Sequence, residues 1–284
     1  MRLTVKLLIY ILSVTILIFI SVVHVINVRF ERFALFAAQE KADLMAARHA
    51  SDIEAELNTD MGVLRSLALT YKNNLKLPLL QRDKLNMEIL YSTLIRQKRY
   101  IAVFLQWELD EVSNSETPGR RRESYYRDEN GVIHYRNDII LHADDTTGIY
   151  KRVKQLNREF IVDPYYYSYI ENKSLPQSVK IHPEDILETT IIIPIESNNQ
   201  FVGMVGADIP LEQFRPLIDT IRPFKGSYGF LLANNGKWLF YPDSSRINQP
   251  IYDAMPELNA QYAIAEHIQA GLPFSFIASA DIAG

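Results

Sequence analysis

Between residues 107 and 208 the chain gathers large aromatic and charged side chains. Trp107, Glu108 and Asp110 surround the end of one apolar run; Arg120, Tyr125, Tyr126 and Arg127 flank the next loop; Tyr150, the stretch VDPYYYSY at 162–169 and Asp208 follow. The sequence contains no GxSxG, HExxH, GxxxxGK[ST] or GxGxxG, so the common nucleophilic, zinc-hydrolytic and phosphate-cradling devices are not encoded. The six histidines are scattered, with no pair at metal-ligand spacing. Asp144 and Asp145 in DDTTG lack the alternating oxygen ligands of a calcium loop and read as a turn. There is no cysteine, which removes thiol catalysis, disulfides and cysteine-ligated metals together. A paired-carboxylate glycosidase stays open, because that separation is spatial. A tyrosine taken singly is an ordinary occupant of a half-buried strand. Asp208 is not ordinary: a carboxylate ending the apolar run FVGMVGADI must be solvated, cap a helix begun at Pro210, or meet a cation.

The elements that must position these groups follow from period and punctuation. Residues 7–23, LLIYILSVTILIFISVV, carry no charge, and Arg2 and Lys6 precede them. Such a run nearly crosses a hydrocarbon core of roughly 30 Å, and the positive flank places the N-terminus in the cytoplasm and Phe30 onward outside. The bulky HVINVRF that follows does not suit a signal-peptidase site. An uncleaved anchor over 7–28 is therefore expected, with a cytoplasmic tip at 1–6. Residues 29–75 read as one long stalk helix, with Ile53, Leu57, Met61, Leu64 and Leu67 on one stripe. The thinner seam of Phe33, Ala37, Leu44 and Ala47 suits packing against a second copy, while the stripe can equally lie along the helix's own domain.

Beyond residue 99 the pattern changes to strands: YIAVFLQW at 100–107, two pieces around the turn Asp128–Gly131, EFIVDPYYYSYI, TTIIIPI at 189–195, the turn SNNQ, and FVGMVGADI at 201–209. ADDTTG at 143–148 and NKSLPQ read as loops, and PLEQFRPLIDTI as a short helix with Leu211, Phe214, Leu217 and Ile218 on one face. A second set follows: GSYGFLLA, the turn NNG, KWLFYP, a helix around MPELNAQYAIAEHIQAG, and a last strand in PFSFIASADIAG. Hairpin-linked strands with segregated helices indicate an α+β fold. The net charge of −4 gives no basic field for nucleic acid.

The ordered series DPYYYSY, TTIIIPI, FVGMVGADIPL, GSYGFLLANNGKWLFYPD resembles the double Cache (dCache) sensor domains of bacterial transmembrane receptors. Trp107-Glu108 with Asp110, followed by GRRRESYYR, resembles a WEP…D and GRFxPYWxR variant of the same domains, without its Phe and Pro. The resemblance covers roughly 30–284 and is densest over 163–242. It implies two PAS-like antiparallel-sheet modules, a membrane-distal ligand-binding one at 76–222 and a membrane-proximal one at 223–284, the latter cut short. It also implies a homodimer along the long helix, no catalysis and no cofactor. The output would be that of a chemoreceptor, or else of a histidine kinase or cyclic-dinucleotide enzyme; the rival from another class is a membrane-anchored hydrolase.

Amino-acid-binding members use an R-x-W-Y stretch, the Tyr of PY, an Asp two residues later and the Asp of GVVGxD. Tyr150, Tyr165 and Asp208 match singly; Thr147 and Ile149 stand where the Arg and Trp would be, and Tyr167 stands for the second Asp. The resemblance thus implies a ligand other than a standard α-amino acid. The ligand residues it suggests are Trp107, Asp110, Arg120, Tyr125, Tyr150, Tyr165, Tyr167 and Asp208. Aromatic faces beside carboxylates suit a cationic nitrogen, and Arg120 or Arg127 would meet a carboxylate, so the expected ligand is an amine, an amino-acid-like metabolite or a small organic acid.

Overall fold

The computed structural model describes residues 3–113, 118–141, 148–169, 173–174 and 184–278. The loops expected at 143–148 and in NKSLPQ lie largely outside these residues, as does the end of the last expected strand, 279–284.

Helix α1 (Leu3–Asn74) runs unbroken for 72 residues, about 108 Å at 1.5 Å per residue. No glycine precedes Gly62 and no proline precedes Pro78, so nothing interrupts it. Its surroundings change along its length. The N-terminal part is long and apolar enough to cross a membrane, and none of its apolar window is buried. Phe30, Phe33, Phe36 and Leu44 remain exposed. Lys41 Nζ donates to the Pro223 carbonyl at 2.8 Å and lies over the Phe224 ring. Ile53 and Leu57 pack against Leu211, Phe214 and Phe240, and Leu64, Leu67, Ala68 and Tyr71 enter the main core. The apolar stripe therefore lies along its own domain, while the thin seam below stays uncovered.

Helix α2 (Leu79–Arg96) begins after Pro78 and buries Arg82, Asn86, Leu90 and Leu94, a strict fourth-residue row. Sequence reading passed over it, because two of those four residues are polar. The sheet contains β1 (Ala102–Glu108), β2 (Gly119–Arg127), β3 (Ile133–Leu141), β4 (Phe160–Ile161), β5 (Tyr165–Ser168), β6 (Lys173–Ser174), β7 (Ile186–Ser197) and β8 (Gln200–Pro210). Its order is β3-β2-β1-β8-β7-β5-β6, with β4 also on β7, and each pairing is antiparallel. The β7–β8 connection is a two-residue turn with Asn198 and Asn199 both at positive φ, the twist-matched hairpin geometry that asparagine tolerates.

Strand alternation divides the sheet into two faces. Val103, Leu105, Trp107, Ile191, Ile193, Val205, Ala207 and Ile209 pack with α1 and α2. Phe104, Ile192 and Met204 point the other way and pack under α4 (Ile149–Leu156) through Tyr150 and Val153.

The chain beyond β8 differs from expectation. The expected helix at 210–221 is a 3-10 turn (Leu211–Phe214) followed by α5 (Arg215–Asp219), burying Leu211, Phe214 and Ile218. GSYGFLLA and KWLFYP contract to β9 (Leu231–Leu232) and β10 (Trp238–Phe240), which form a two-stranded ribbon. The expected last strand has no ladder partner over 272–278, and an extended segment without a partner is not a strand. The single helix expected over 255–271 breaks into α7 (Pro256–Tyr262) and α8 (Ile264–Ala270), with Ala263 left-handed at their junction, and a short α6 (Ile251–Ala254) precedes them. A second full sheet is not among the described residues.

Candidate functional site

The face turned away from α1 and α2 carries the chemistry. Register places Tyr165 opposite Glu188, Thr190 opposite Asp208, and Asp208 opposite Ala102. Across β1 and β2, Gln106 faces Arg122 and Phe104 faces Ser124, and Arg136 on β3 sits beside Ser124. Gly206 lies between Phe104 and Ile192. A Cβ there would come within 2.3 Å of the Phe104 ring, so the missing side chain is what lets that ring lie across β8.

Asp208 is 3% exposed and Glu188 fully buried. The Thr190 hydroxyl donates to Asp208 Oδ1 at 2.7 Å, and the Tyr165 hydroxyl lies 2.7 Å from Thr190 Oγ1. Thr190 has one proton, committed to Asp208, so Tyr165 donates to Thr190. Arg122 Nη2 is 3.8 Å from Asp208 Oδ2, and its guanidinium covers the Phe104 ring at 4.6 Å. The Tyr169 hydroxyl donates to Glu188 Oε2 at 3.0 Å. Tyr165, Tyr167, Tyr169 and Tyr126 form a continuous aromatic wall, with successive centroids 6.4, 4.7 and 5.3 Å apart. Arg136 donates to the Tyr169 carbonyl at 2.7 Å and stacks on Tyr126.

Burial dominates the electrostatics here. It holds the Asp208 carboxyl above its ordinary value, with Arg122 and the Thr190 hydrogen bond pulling it back. Burial raises the Glu188 carboxyl well above its ordinary value, and the nearby Asp208 raises it further. Burial likewise pushes the Tyr165 and Tyr169 hydroxyls well up, so they stay protonated donors. Burial works against the Arg122 charge, but Tyr167 and Asp208 leave it held above its ordinary value. Two buried acids and one arginine thus lie together inside a wall of tyrosine rings.

The eight sequence candidates separate into three groups. Asp208, Tyr165 and Tyr167 stand together in this cluster. Arg120 and Tyr150 share the face but sit at the opposite end, beyond Phe104, Ile192 and Met204. There the Arg120 guanidinium lies 4.3 Å from the Tyr150 ring, and Glu108 accepts from the Tyr150 hydroxyl at 2.8 Å and pairs with Lys154 at 2.6 Å. Asp110 is exposed on α3 (Leu109–Ser113), near the same end. Trp107 and Tyr125 are on the other face. Trp107 is fully buried in the helix-side core under Arg82, and Tyr125 packs edge-on against Tyr91 of α2. They are odd-numbered neighbours of Leu105 and Glu123, so parity turns them toward the helices. Arg127, considered for a ligand carboxylate, donates instead to the Leu94 carbonyl. The capping alternative for Asp208 also falls: Pro210 occupies the N-cap, without a side-chain cap bond.

Three members of the cluster, Glu188, Arg122 and Tyr169, were not singled out from sequence. Glu188 stands one residue before the apolar run TTIIIPI, and parity puts it on the face of Thr190 without saying what lies beside it. Arg122 shares parity with Ser124 and Tyr126, whereas Arg121 and Glu123 face the helices, where they pair at 3.1 Å. Among the described residues no group of three or more His, Asp or Glu side chains could hold a metal ion.

No protein-family model matches the chain. The methyl-accepting chemotaxis protein PscA of Pseudomonas syringae pv. tomato is 36% identical over 70 residues, which make up 25% of this chain and 11% of that protein. The extracellular domain of mmHK1S-Z2, described as a histidine kinase, superposes with a TM-score of 0.65 at 22% identity, over 83% of this chain and 84% of that one. The periplasmic sensory domain of the Campylobacter jejuni chemoreceptor Tlp1 superposes with a TM-score of 0.55 at 16% identity, over 80% and 79% of the two chains. At these identities the likeness to the solved structures is one of fold.

Proposed function

Because the chain has the fold of the extracytoplasmic sensor domains of chemoreceptors and histidine kinases, we propose that it is the ligand-sensing region of a transmembrane signalling receptor, and that its ligand is a small molecule bearing a cationic nitrogen. The observation that carries the ligand class is the pair of buried carboxylates, Glu188 and Asp208, set against Tyr165, Tyr167 and Tyr169. A desolvated carboxylate gains most from a charge-assisted hydrogen bond, and aromatic faces add cation–π attraction. The sensing region itself does no chemistry in this reading.

Residues 7–28 anchor the chain and 76–222 form the membrane-distal module, with 223–284 belonging to a membrane-proximal one. The positions of contact along α1 support that order: residues 223–224 and 275 meet Gln39 and Lys41, whereas the sheet packs on residues 57–71. The exposed Phe30, Phe33, Phe36 and Leu44 support a homodimer along α1. The 36% identity to a chemotaxis receptor over 70 residues favours a chemoreceptor output, and the fold likeness to a protein described as a histidine kinase keeps that output as the second reading.

The test is a thermal-denaturation screen of the full chain in detergent against amines, amino acids and organic acids. A ligand that binds the folded state raises Tm with concentration. Asp208→Asn is expected to weaken that response by about tenfold or more, since a hydrogen bond to a charged group contributes roughly 1.5–3 kcal/mol. An undiminished response in Asp208→Asn would remove this face as the site.

The route from this face to the stalk is short. The Ile101 amide donates to the Asp208 carbonyl at 2.9 Å. Directly before it, Tyr100 donates to Asp60 on α1 at 3.0 Å, and Arg99 pairs with Glu56 at 2.9 Å and with Asp60 at 3.5 Å. Arg99 also donates to Gln213, in the turn that follows β8. A ligand that shifts the end of β8 therefore pulls on α1 through Arg99. Arg99→Gln is expected to keep ligand binding while reducing ligand-induced changes in amide exchange over residues 53–61, a loss of coupling on the order of 0.5–2 kcal/mol. Unchanged exchange responses in the variant would rule out this route.

A further inference from the structure

Within the proposed site the two acids are not equivalent. Asp208 has a hydrogen-bond donor in Thr190 and a facing cation in Arg122. Glu188 accepts from the Tyr169 hydroxyl on Oε2 and has the Tyr165 hydroxyl close by. Its Oε1 is buried with no hydrogen-bond partner, and the proton of the neighbouring Tyr165 hydroxyl is committed to Thr190. A fully buried carboxylate oxygen left bare costs folding free energy unless something donates to it. Of the guanidinium groups on this part of the face, Arg122 lies over Phe104 and 3.8 Å from Asp208, and Arg136 stacks on Tyr126 and donates to the Tyr169 carbonyl. Ionised together, the two acids outnumber the single cation Arg122 by one charge, which a bound cation would balance.

We propose that Glu188 is the specificity-determining residue of this site: its free oxygen takes an N–H of the ligand's cationic nitrogen, and its charge ranks a simple amine above the α-amino acid of the same skeleton. The inference rests on the sensor reading and names the ligand class within it. A primary ammonium has three donors and can satisfy Glu188 and its diagonal neighbour Asp208, which sit about 7–8 Å apart by strand register. An α-amino acid brings the same ammonium but places a carboxylate one carbon away. That second negative charge meets Glu188 and Asp208 in a desolvated setting, where the one cation Arg122 already faces two acids.

The experiment uses matched probes on the full chain in detergent: 1,4-diaminobutane with L-ornithine, tyramine with L-tyrosine, and histamine with L-histidine. Dissociation constants come from concentration-dependent Tm and from calorimetry. In the unmodified protein, for the pair whose side chain fits, the amine is expected to bind at least about tenfold more tightly than its amino acid, the scale of one charge-assisted contact. In Glu188→Gln that ratio is expected to collapse toward one, whereas Asp208→Asn weakens both members of the pair. Binding of a pair with the same ratio in Glu188→Gln, or preference for the amino acid in the unmodified protein, overturns the role of Glu188 and leaves the sensor reading standing. Failure of every probe to shift the unmodified protein overturns the cationic-ligand reading and this inference with it. Circular dichroism of both variants separates loss of binding from loss of fold.

Discussion

Gly203→Ala is expected to destabilise the protein on the order of 3 kcal/mol and to lower its Tm by roughly 10 °C for a domain of this size. The new Cβ would stand 2.2 Å from the Gln106 carbonyl oxygen and 2.9 Å from Trp107 Cε3. A flexible side chain can swing away from such a contact, but a backbone carbonyl in the middle of a sheet cannot. β8 is paired to β1 on one side and β7 on the other at this position, so relief requires parting the central strands, and those strands carry Asp208, Thr190 and Glu188. The informative control is Gly62→Ala. A Cβ at Gly62, within α1, would meet nothing within 4 Å, so removing a helix-interior glycine should stabilise by about 0.5–1 kcal/mol. Chemical denaturation of the two variants checks both signs. A Gly203→Ala protein as stable as the parent would mean that β1 and β8 are not in close register at Gln106.

That dependence on strand register also explains what could be read from the sequence. The β7–β8 hairpin was legible because SNNQ separates two apolar runs and asparagine accepts the left-handed conformations the turn requires. Alternation along a strand is enough to put Tyr165 and Tyr167 on one face and Tyr166 on the other. Helix α2 was hidden because its buried row mixes Arg82 and Asn86 with Leu90 and Leu94, and α4 because eight residues show too little period. Within the site, residue type misled where parity would have corrected it. Trp107 and Tyr125 suit a ligand box chemically, but each alternates with residues of the opposite face, and the helix side is the thicker core. Glu188 escaped notice for the converse reason, standing just outside an apolar run. Its meaning arises only when β7 lies between β5 and β8, placing it beside Tyr165 and diagonal to Asp208, a fact of topology that no local pattern records.

The unliganded Glu188→Gln protein is expected to melt above the unmodified one at neutral pH, with the difference shrinking as pH falls. The sign follows from linkage. Burial first, and then Asp208, raise the Glu188 pKa in the folded state above its ordinary 4.5. A carboxyl raised on folding binds its proton more tightly folded than unfolded, so its contribution to stability is fully present below 4.5 and is lost as pH rises through the folded value. Glutamine stays neutral and does not follow that loss. The groups facing Glu188 do not reverse the sign. Tyr165 and Tyr169 are held well above neutral pH, Arg122 stays charged, and Asp208 is itself raised by burial, so it drifts in the same direction in both proteins. Asp128 and Glu159, lowered by His134 and Arg65 respectively, pull the other way but are common to both and cancel in the difference. Paired melting curves from acid to neutral pH measure it directly. A gap between the two proteins that stays constant over that range would mean Glu188 titrates as it does in water, and the buried, donor-starved carboxylate on which the site depends would not exist. A gap that opens with pH and closes again when an amine is added would tie the acid's cost in the empty protein to its use in the occupied one.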